Sequence, residues 1–513
     1  MTKYLLLANV GNSDIQYPRE DFPHGKLPPP RQLVDYIRQD QEARLPKMWL
    51  PLLIPALHYI WGEAGLPPEK RDQQGQILQK EKDKELRKLA KDLELEIILF
   101  ASDQQRDLVK PDDWEKDTKP SAELIQEFLY KRYEIPKKNI KIRTIDGSPA
   151  DYANALQYLD EQTRTLAKNY PTVERVYLEI AGGTPAMTTM LLLNGVETFG
   201  ERAVTLYIDR ASTSADMIPV AAELHARETR ENILEQMSLC VYGVAAKSAE
   251  ANRERLSSDS KVQASVIQLL RYADRRLAFD YKRARFALEE ASTHLRGTQQ
   301  AQVRAWLSKL KEITLDEQVA ELIYGAQIKV QLGEYADLTQ RIFRFQEAVL
   351  RHMSEKAGVQ YKADNKGDFV LPAWLNAAEQ APLLDYLKRY QRDSKGNPSP
   401  EVTPVDVNRA VNRYSLGALV EFYTRQPTFA HYQPTLELIF RLSGVADLRN
   451  KGIAGHGFEG FGKDDLEESY GDSVETLLNN LSVIYSAVFE MELPPSPYDQ
   501  VNTLIRQLLE ATG

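Results

Sequence analysis

Cysteine is nearly absent: the 513 residues contain one, Cys240. This excludes an intramolecular disulfide and a cysteine-based zinc site, and fits a reducing compartment. Cys240 continues the helical spacing of Ile233 and Met237 and is expected in a core. Excess positive charge is absent too, since 65 Lys and Arg face 74 Asp and Glu for a net −9. No global field therefore gathers nucleic acid, and any such contact is local. Long apolar runs are missing. The most apolar stretch, Met48 to Trp61, is interrupted by Pro51, Pro55 and His58 and falls short of the ~20 residues that cross a bilayer. The opening residues carry one positive charge and break into Gly11-Asn12-Ser13-Asp14, unlike a signal peptide. A soluble, cytoplasmic protein without a membrane partner is expected. Histidines are few and scattered, with no His-x-x-x-His pair, so no metal site is expected.

What is present is enough apolar residue, 42% of the chain, for the cores of several domains. Residues 1–215 alternate strand and helix signals, the pattern of a parallel sheet with crossover helices. The spacing predicts strands at Tyr4–Val10, Glu94–Ala101, Ile140–Ile145, Val173–Ala181 and Ala203–Ile208. The roughly eighty residues between the first two exceed a simple crossover and read as an insertion, about 15–90. Within it Gln76 to Asp92 reads as a helix with one solvated, charged face, and Met48 to Trp61 as buried against the sheet or a second subunit. From about 220 onward strand signals vanish and helical stripes take over, such as Val266, Leu269, Leu270, Ala273 and Leu277, or Leu338, Ile342, Phe343, Phe345, Ala348 and Val349.

Four strand ends are small or polar: Asn9-Val10-Gly11-Asn12-Ser13, Ala101-Ser102-Asp103-Gln104, Asp146-Gly147-Ser148 and Ala181-Gly182-Gly183-Thr184. Ligands of open parallel sheets bind outside the carboxyl ends of strands, so these stretches are expected to converge on one pocket. Thr184 suits an N-cap and Pro185 a first helical residue, so the helix amides would face a phosphate or ribose hydroxyl. The same pattern also suits a plain strand-to-helix turn. A P-loop is excluded by the missing Gly-Lys-Ser/Thr and a dinucleotide fingerprint by the missing third glycine. With no Lys or Arg in the first and fourth turns, a nucleotide-like anion is expected to be read by amides and hydroxyls, with little dependence on salt. The candidate ligand residues are Asn9, Gly11, Asn12, Ser13, Ser102, Asp103, Gln104, Gly182, Gly183, Thr184 and Met187.

In the helical half, Arg449 and His456 stand seven positions apart in Leu448-Arg449-Asn450-Lys451-Gly452-Ile453-Ala454-Gly455-His456-Gly457. On a continuous helix they would share a face, and the glycines also let both turn towards one point. The other six histidines, His24, His58, His225, His294, His352 and His431, read as structural or surface residues. An arginine that stabilises a pentacovalent phosphate and a histidine that moves a proton suffice to cut RNA through its own 2′-hydroxyl, without a metal. One pair lacks a second proton-transfer group, which a second protomer would supply.

The Arg449-Asn450 to His456 stretch resembles the signature of HEPN ribonucleases, and Gly182-Gly183-Thr184-Pro185-Ala186-Met187 resembles the ligand motif of CARF domains, Rossmann folds that sense cyclic oligoadenylate. In this order, over nearly the whole chain, the two are similar to the ancillary ribonucleases of type III CRISPR antiviral defence. The resemblance implies an α/β then all-α protein: a Rossmann-like CARF domain with a parallel sheet over 1–220, a helical linker over 221–330 and an α-helical HEPN domain over 331–513. It implies a homodimer with composite sites, single-stranded RNA as substrate, and no cofactor. The implied allosteric activator is cyclic oligoadenylate, with cyclic tetra-adenylate ahead of cyclic hexa-adenylate. Arg449 and His456 match the catalytic pair, Asn450 the polar residue that orients it, and Gly182, Gly183 and Thr184 the activator pocket. Many relatives carry Lys where this chain has Pro185. Slow opening of the activator beside the Thr184 hydroxyl is a further expectation. The alternatives are a nucleotide-sensing regulator with a non-catalytic helical half, and a metabolic nucleotide-binding oxidoreductase or ligase.

Overall fold

The first strand, β1 (Tyr4–Asn9), is built around Leu5, Leu6 and Leu7, none of which reaches solvent. A strand apolar on both faces is stable only with a layer on each side, so it takes the middle of a covered parallel sheet. In the computed structural model, which describes residues 3–63, 94–209, 214–359, 362–363, 369–370, 380–393, 397–407, 411–452 and 460–511, it does so. The chain divides into two units, Met1–Arg227 and Glu228–Gly513.

The sheet of the first unit adds β2 (Leu95–Ser102), β3 (Ile140–Ile145), β4 (Arg175–Glu179), β5 (Ala203–Tyr207) and β6 (Asp216–Ile218), in the order β3-β2-β1-β4-β5-β6. The first five are parallel. The sixth, which the sequence pattern did not suggest, pairs antiparallel with β5 through Thr205 opposite Ile218, so the sheet is mixed at that edge. Its three residues are all exposed, which is why no apolar alternation marks them. Leu6 and Ala8 point into one core and Leu5 and Leu7 into the other.

The first core is closed by helices Pro30–Gln39, Leu53–Glu63 and Lys119–Tyr133, through Leu33, Ile37, Leu57, Ile60, Trp61 and Phe128 among others. Residues 15–63, expected to belong to an insertion, therefore form part of the layer that covers the sheet, and Met48 to Trp61 pack into it. The charged helix expected over Gln76 to Asp92 lies outside the described residues. Helices Tyr152–Asn169 and Pro185–Phe199 close the second core with Leu159, Leu166, Leu191 and Phe199.

The second unit is helical, with one apolar core running from Ile233 to Leu509. Val266, Leu269, Leu270 and Ala273 lie in that core, as do Leu338, Ile342, Phe345 and Val349, while Phe343 is only partly covered. Two strands of two residues, Lys362–Ala363 and Phe369–Val370, pair antiparallel and correct the reading of an entirely strand-free half. Cys240 packs against the helical core, partly buried, but does not continue the helix. Helix Val220–Ser238 stops before it, it takes φ 56°, and its Sγ accepts the Tyr242 hydroxyl at 3.7 Å. A buried charge, Glu321, is fully matched by the Arg276 guanidinium (Nε to Oε1, 2.7 Å) and the Tyr498 hydroxyl (2.9 Å). Among the described residues no helix is long and apolar enough to cross a membrane.

Because helix Leu53–Glu63 is core and not appendage, Leu57→Ala should destabilise the sheet unit by roughly 2–5 kcal/mol, the range for emptying a buried leucine site. Urea unfolding followed by near-ultraviolet circular dichroism measures this, and a loss under about 0.5 kcal/mol would place the helix outside the core.

Candidate functional site

The ends of β1 and β4 are neighbours at the point where the chain changes direction across the sheet. Their turns touch through backbone. A Cβ at Gly11 would lie 2.7 Å from the Gly183 nitrogen, and one at Gly183 would lie 2.7 Å from Asn9 Cβ. Gly183 also sits at φ +86°, where a side chain is strained. Two buried carboxyl groups tie the turns from behind. Glu179 Oε1 accepts the amides of Ala181 (2.7 Å) and Gly182 (3.2 Å), and Asp14 Oδ2 accepts that of Gly11 (2.7 Å). Burial pushes the Glu179 pKa up to about 8, helped by the charge of Asp14 and opposed by the two amides.

In front of the turns lies a cavity of about 650 Å³. Asn9, Gly11, Asn12 and Ser13 reach it from β1, and Ser102 and Gln104 from β2. Ser148, Pro149 and Ala150 follow β3, and Gly183, Thr184 and Met187 follow β4. Two expected residues do not line it. Gly182 packs behind the turn, where a Cβ would meet the Asn9 carbonyl at 2.7 Å, and Asp103 is taken up by Lys119 at 2.6 Å. The Thr184 hydroxyl is engaged: it caps the helix by accepting the Met187 amide at 3.3 Å and donates to the Pro149 carbonyl. That arrangement joins two walls of the cavity and serves structure before chemistry.

Two buried side-chain amides in the lining lack partners. Asn9 is 2% exposed, with neither Nδ2 nor Oδ1 hydrogen-bonded, and Gln104 is 8% exposed, with Oε1 unbonded. Each such atom costs about 1–3 kcal/mol unless something else satisfies it, so the residues behind this wall of the cavity hold unmet donor and acceptor capacity. Sequence reasoning missed the cations. The loop after β2 brings Lys110 and Lys116 into the lining, with Asp113 and Asp117. Lys116 pairs with Asp113 at 3.2 Å and Asp117 with Arg31 at 3.0 Å, whereas Lys110 has no carboxylate partner among the described residues. The expectation of a cation-free site is thereby corrected. No periodicity marks this segment, because the two lysines flank a helix of only five residues, Pro111–Glu115.

In the second unit Arg449 lies on helix Gln433–Lys451. That helix stops at Lys451, and Gly452 is extended (φ −82°, ψ 170°), so Arg449 and His456 do not share a continuous helix. His456 itself lies outside the described residues. Arg449 donates from Nε to Gln340 Oε1 and from Nη1 to Asn450 Oδ1, both at 3.1 Å. Its guanidinium lies 4.7 Å from the Phe343 ring centre, with that of Arg413 at 5.6 Å from the same ring. Arg413 is matched by Asp447 (3.3 Å) and Gln346 (2.9 Å), and burial first, then Arg449, holds its pKa below the usual value. Among the described residues no three His, Cys, Asp or Glu gather as metal ligands would.

No family model matches this chain, and no curated protein does. Among solved structures, Enterococcus italicus Csm6 bound to cyclic hexa-2'-fluoro-hexa-dAMP is similar over 99% of this chain and 100% of its own, with a TM-score of 0.55 and 11% identity. The chain has the fold of that protein, a sheet unit followed by a helical one.

The raised pKa of Glu179 has a consequence for stability. The folded chain holds this proton up to about pH 8, whereas an unfolded glutamate releases it near the ordinary value of 4.5. The contribution is complete below about pH 4.5 and is lost as pH rises towards 8. Melting curves from pH 5 to 9 should show the sheet unit weakening over that range, by an amount on the order of a few kcal/mol, and Glu179→Gln should flatten the slope. Parallel slopes for the two proteins would refute the assignment.

Proposed function

We propose that this protein is a metal-independent endoribonuclease of type III CRISPR defence, switched on by cyclic oligoadenylate and active as a homodimer on single-stranded RNA. The observation that carries the sensing half is the strand-end cavity with the unpartnered amides of Asn9 and Gln104. An adenine edge presents a donor beside an acceptor, the complement of a carboxamide, and Lys110 and Lys116 offer charge to the linking phosphates. The ligand held by the structural neighbour favours a six-membered ring of adenylates over a four-membered one.

The nuclease half rests on Arg449, whose charge no described carboxylate neutralises, followed in sequence by His456. In the proposed step the RNA 2′-oxygen attacks the adjacent phosphorus and the bond to the 5′-oxygen breaks. The products are a 2′,3′-cyclic phosphate and a 5′-hydroxyl. Arg449 stabilises the charge gathered on the phosphorane oxygens, and His456 carries one proton. The second proton-transfer group comes from another copy of the chain. Exposed Tyr152 and Leu156, one helical turn apart, and Leu193 on the adjoining helix offer apolar surface for self-association. Activator binding shifts the helical dimer through its unequal affinity for the two arrangements.

A fluorogenic RNA assay with cyclic tetra- or hexa-adenylate in excess EDTA tests the reading. Cleavage should appear only with activator and fall at least about a hundredfold in Arg449→Ala and His456→Ala, with activator binding intact. Loss of activity in EDTA sinks the metal-free mechanism. Activator binding without any RNA loss favours the regulator reading instead. Asn9→Ala should weaken activator binding about tenfold or more, and Lys110→Ala and Lys116→Ala should each lessen its salt dependence. Full activity in a protein that stays monomeric with activator bound, measured by mass, would exclude the composite site.

A further inference from the structure

Arg449 is held on two sides by one neighbouring helix. Gln340 and Phe343 stand three positions apart on helix Tyr335–Lys356 and share a face. The opposite side of that helix is anchored in the core by Leu338, Ile342 and Phe345, so it cannot roll about its axis without emptying buried sites. Gln340 Oε1 accepts the Arg449 Nε–H at 3.1 Å, and the Phe343 ring centre lies 4.7 Å from the guanidinium carbon.

A guanidinium carries five N–H donors in one rigid plane. An acceptor at Nε sets its rotation within that plane, and a ring beneath it limits its tilt. With Nη1 also held by Asn450, the side chain keeps one orientation in which its Nη edge turns away from Gln340. The second guanidinium on the Phe343 ring, Arg413, is already matched by Asp447, so the uncompensated positive charge at this ring is that of Arg449.

We propose that Gln340 and Phe343 are positioning residues for the nuclease arginine: Gln340 fixes the rotation of the guanidinium and Phe343 its tilt, so that the Nη edge is presented to the scissile phosphate. This rests on the role given to Arg449 above. Neither residue touches the reacting atoms, so removing one should misplace the charge at the transition state and leave ground-state RNA binding nearly unchanged.

The test uses the full-length protein, saturating cyclic hexa- or tetra-adenylate, whichever activates the parent, and a fluorogenic single-stranded RNA. kcat and KM are measured for Arg449→Ala, Gln340→Leu, Gln340→Glu, Phe343→Leu and Phe343→Tyr, with thermal melts as the folding control. Gln340→Leu should lower kcat about tenfold or more with KM within about twofold. Gln340→Glu keeps an acceptor for Nε but sets a carboxylate against the arginine's charge, so it serves as the charge control and should also lose kcat. Phe343→Tyr keeps the ring and should stay within about threefold of the parent, where Phe343→Leu falls about tenfold. An inactive Arg449→Ala beside a Gln340→Leu variant with parental kcat overturns the positioning role alone. So does a Phe343→Tyr variant that falls as far as Phe343→Leu, since only the leucine removes the ring. An Arg449→Ala variant with parental activity overturns the nuclease reading along with it.

Discussion

Much of the sheet unit follows from one close approach, that of the Gly11 and Gly183 backbones at the ends of β1 and β4. It is possible because Leu5, Leu6 and Leu7 demand apolar cover on both sides, which puts β1 in the middle of the sheet with β4 beside it. Once the two turns meet, Asn9 is enclosed by Gly183 and loses access to solvent, Gly182 is pressed against Glu179 and Asp14, and the two carboxyl groups become the anchors of the turns. The cavity in front is the space that remains. Its polarity is a result of this packing, since a strand end closed in this way leaves its amide facing inward with nothing in the chain to bond.

The five parallel strands were readable as short runs of strand-forming residues, four of them ending in small or polar residues, and strand ends of that kind mark ligand sites in open sheets. β6 was not readable, being three exposed residues whose pairing comes only from lying beside β5. The Lys110 and Lys116 wall was hidden for another reason. Those lysines flank the five-residue helix Pro111–Glu115, too short to show a period, in a segment held by distant partners, with Asp117 accepting the Gln104 amide and the Arg31 guanidinium, and Thr118 and Ser102 bonding each other's amides. Long-range hydrogen bonds of this type leave no periodic trace.

In the helical unit the balance is similar. The 3.6-residue stripes marked the core, and the Arg449 to His456 stretch stood out as chemistry. The end of the helix at Lys451 could have been read from Gly452, because glycine just past a helix commonly closes it. The partners of Arg449 could not, since the hydrogen-bonded one, Gln340, precedes it by 109 positions with nothing to single it out, and Phe343 belongs to a stripe that reads as ordinary core. A functional side chain is recognised locally, but the residues that orient it are chosen by tertiary packing.

The glycine contact between the two turns also bears on how such proteins diverge. Where a fold is locked by main chain meeting main chain, and where turns are held by amides donated from the backbone, the demand falls on shape and on a few small residues. Most other positions around the sheet need only remain apolar or polar, and are free to drift. A chain of this kind can keep one architecture along 99% of its length while sharing only 11% of its residues with another that has it. Likeness is then carried by the path of the backbone, where the letters of the two sequences share little.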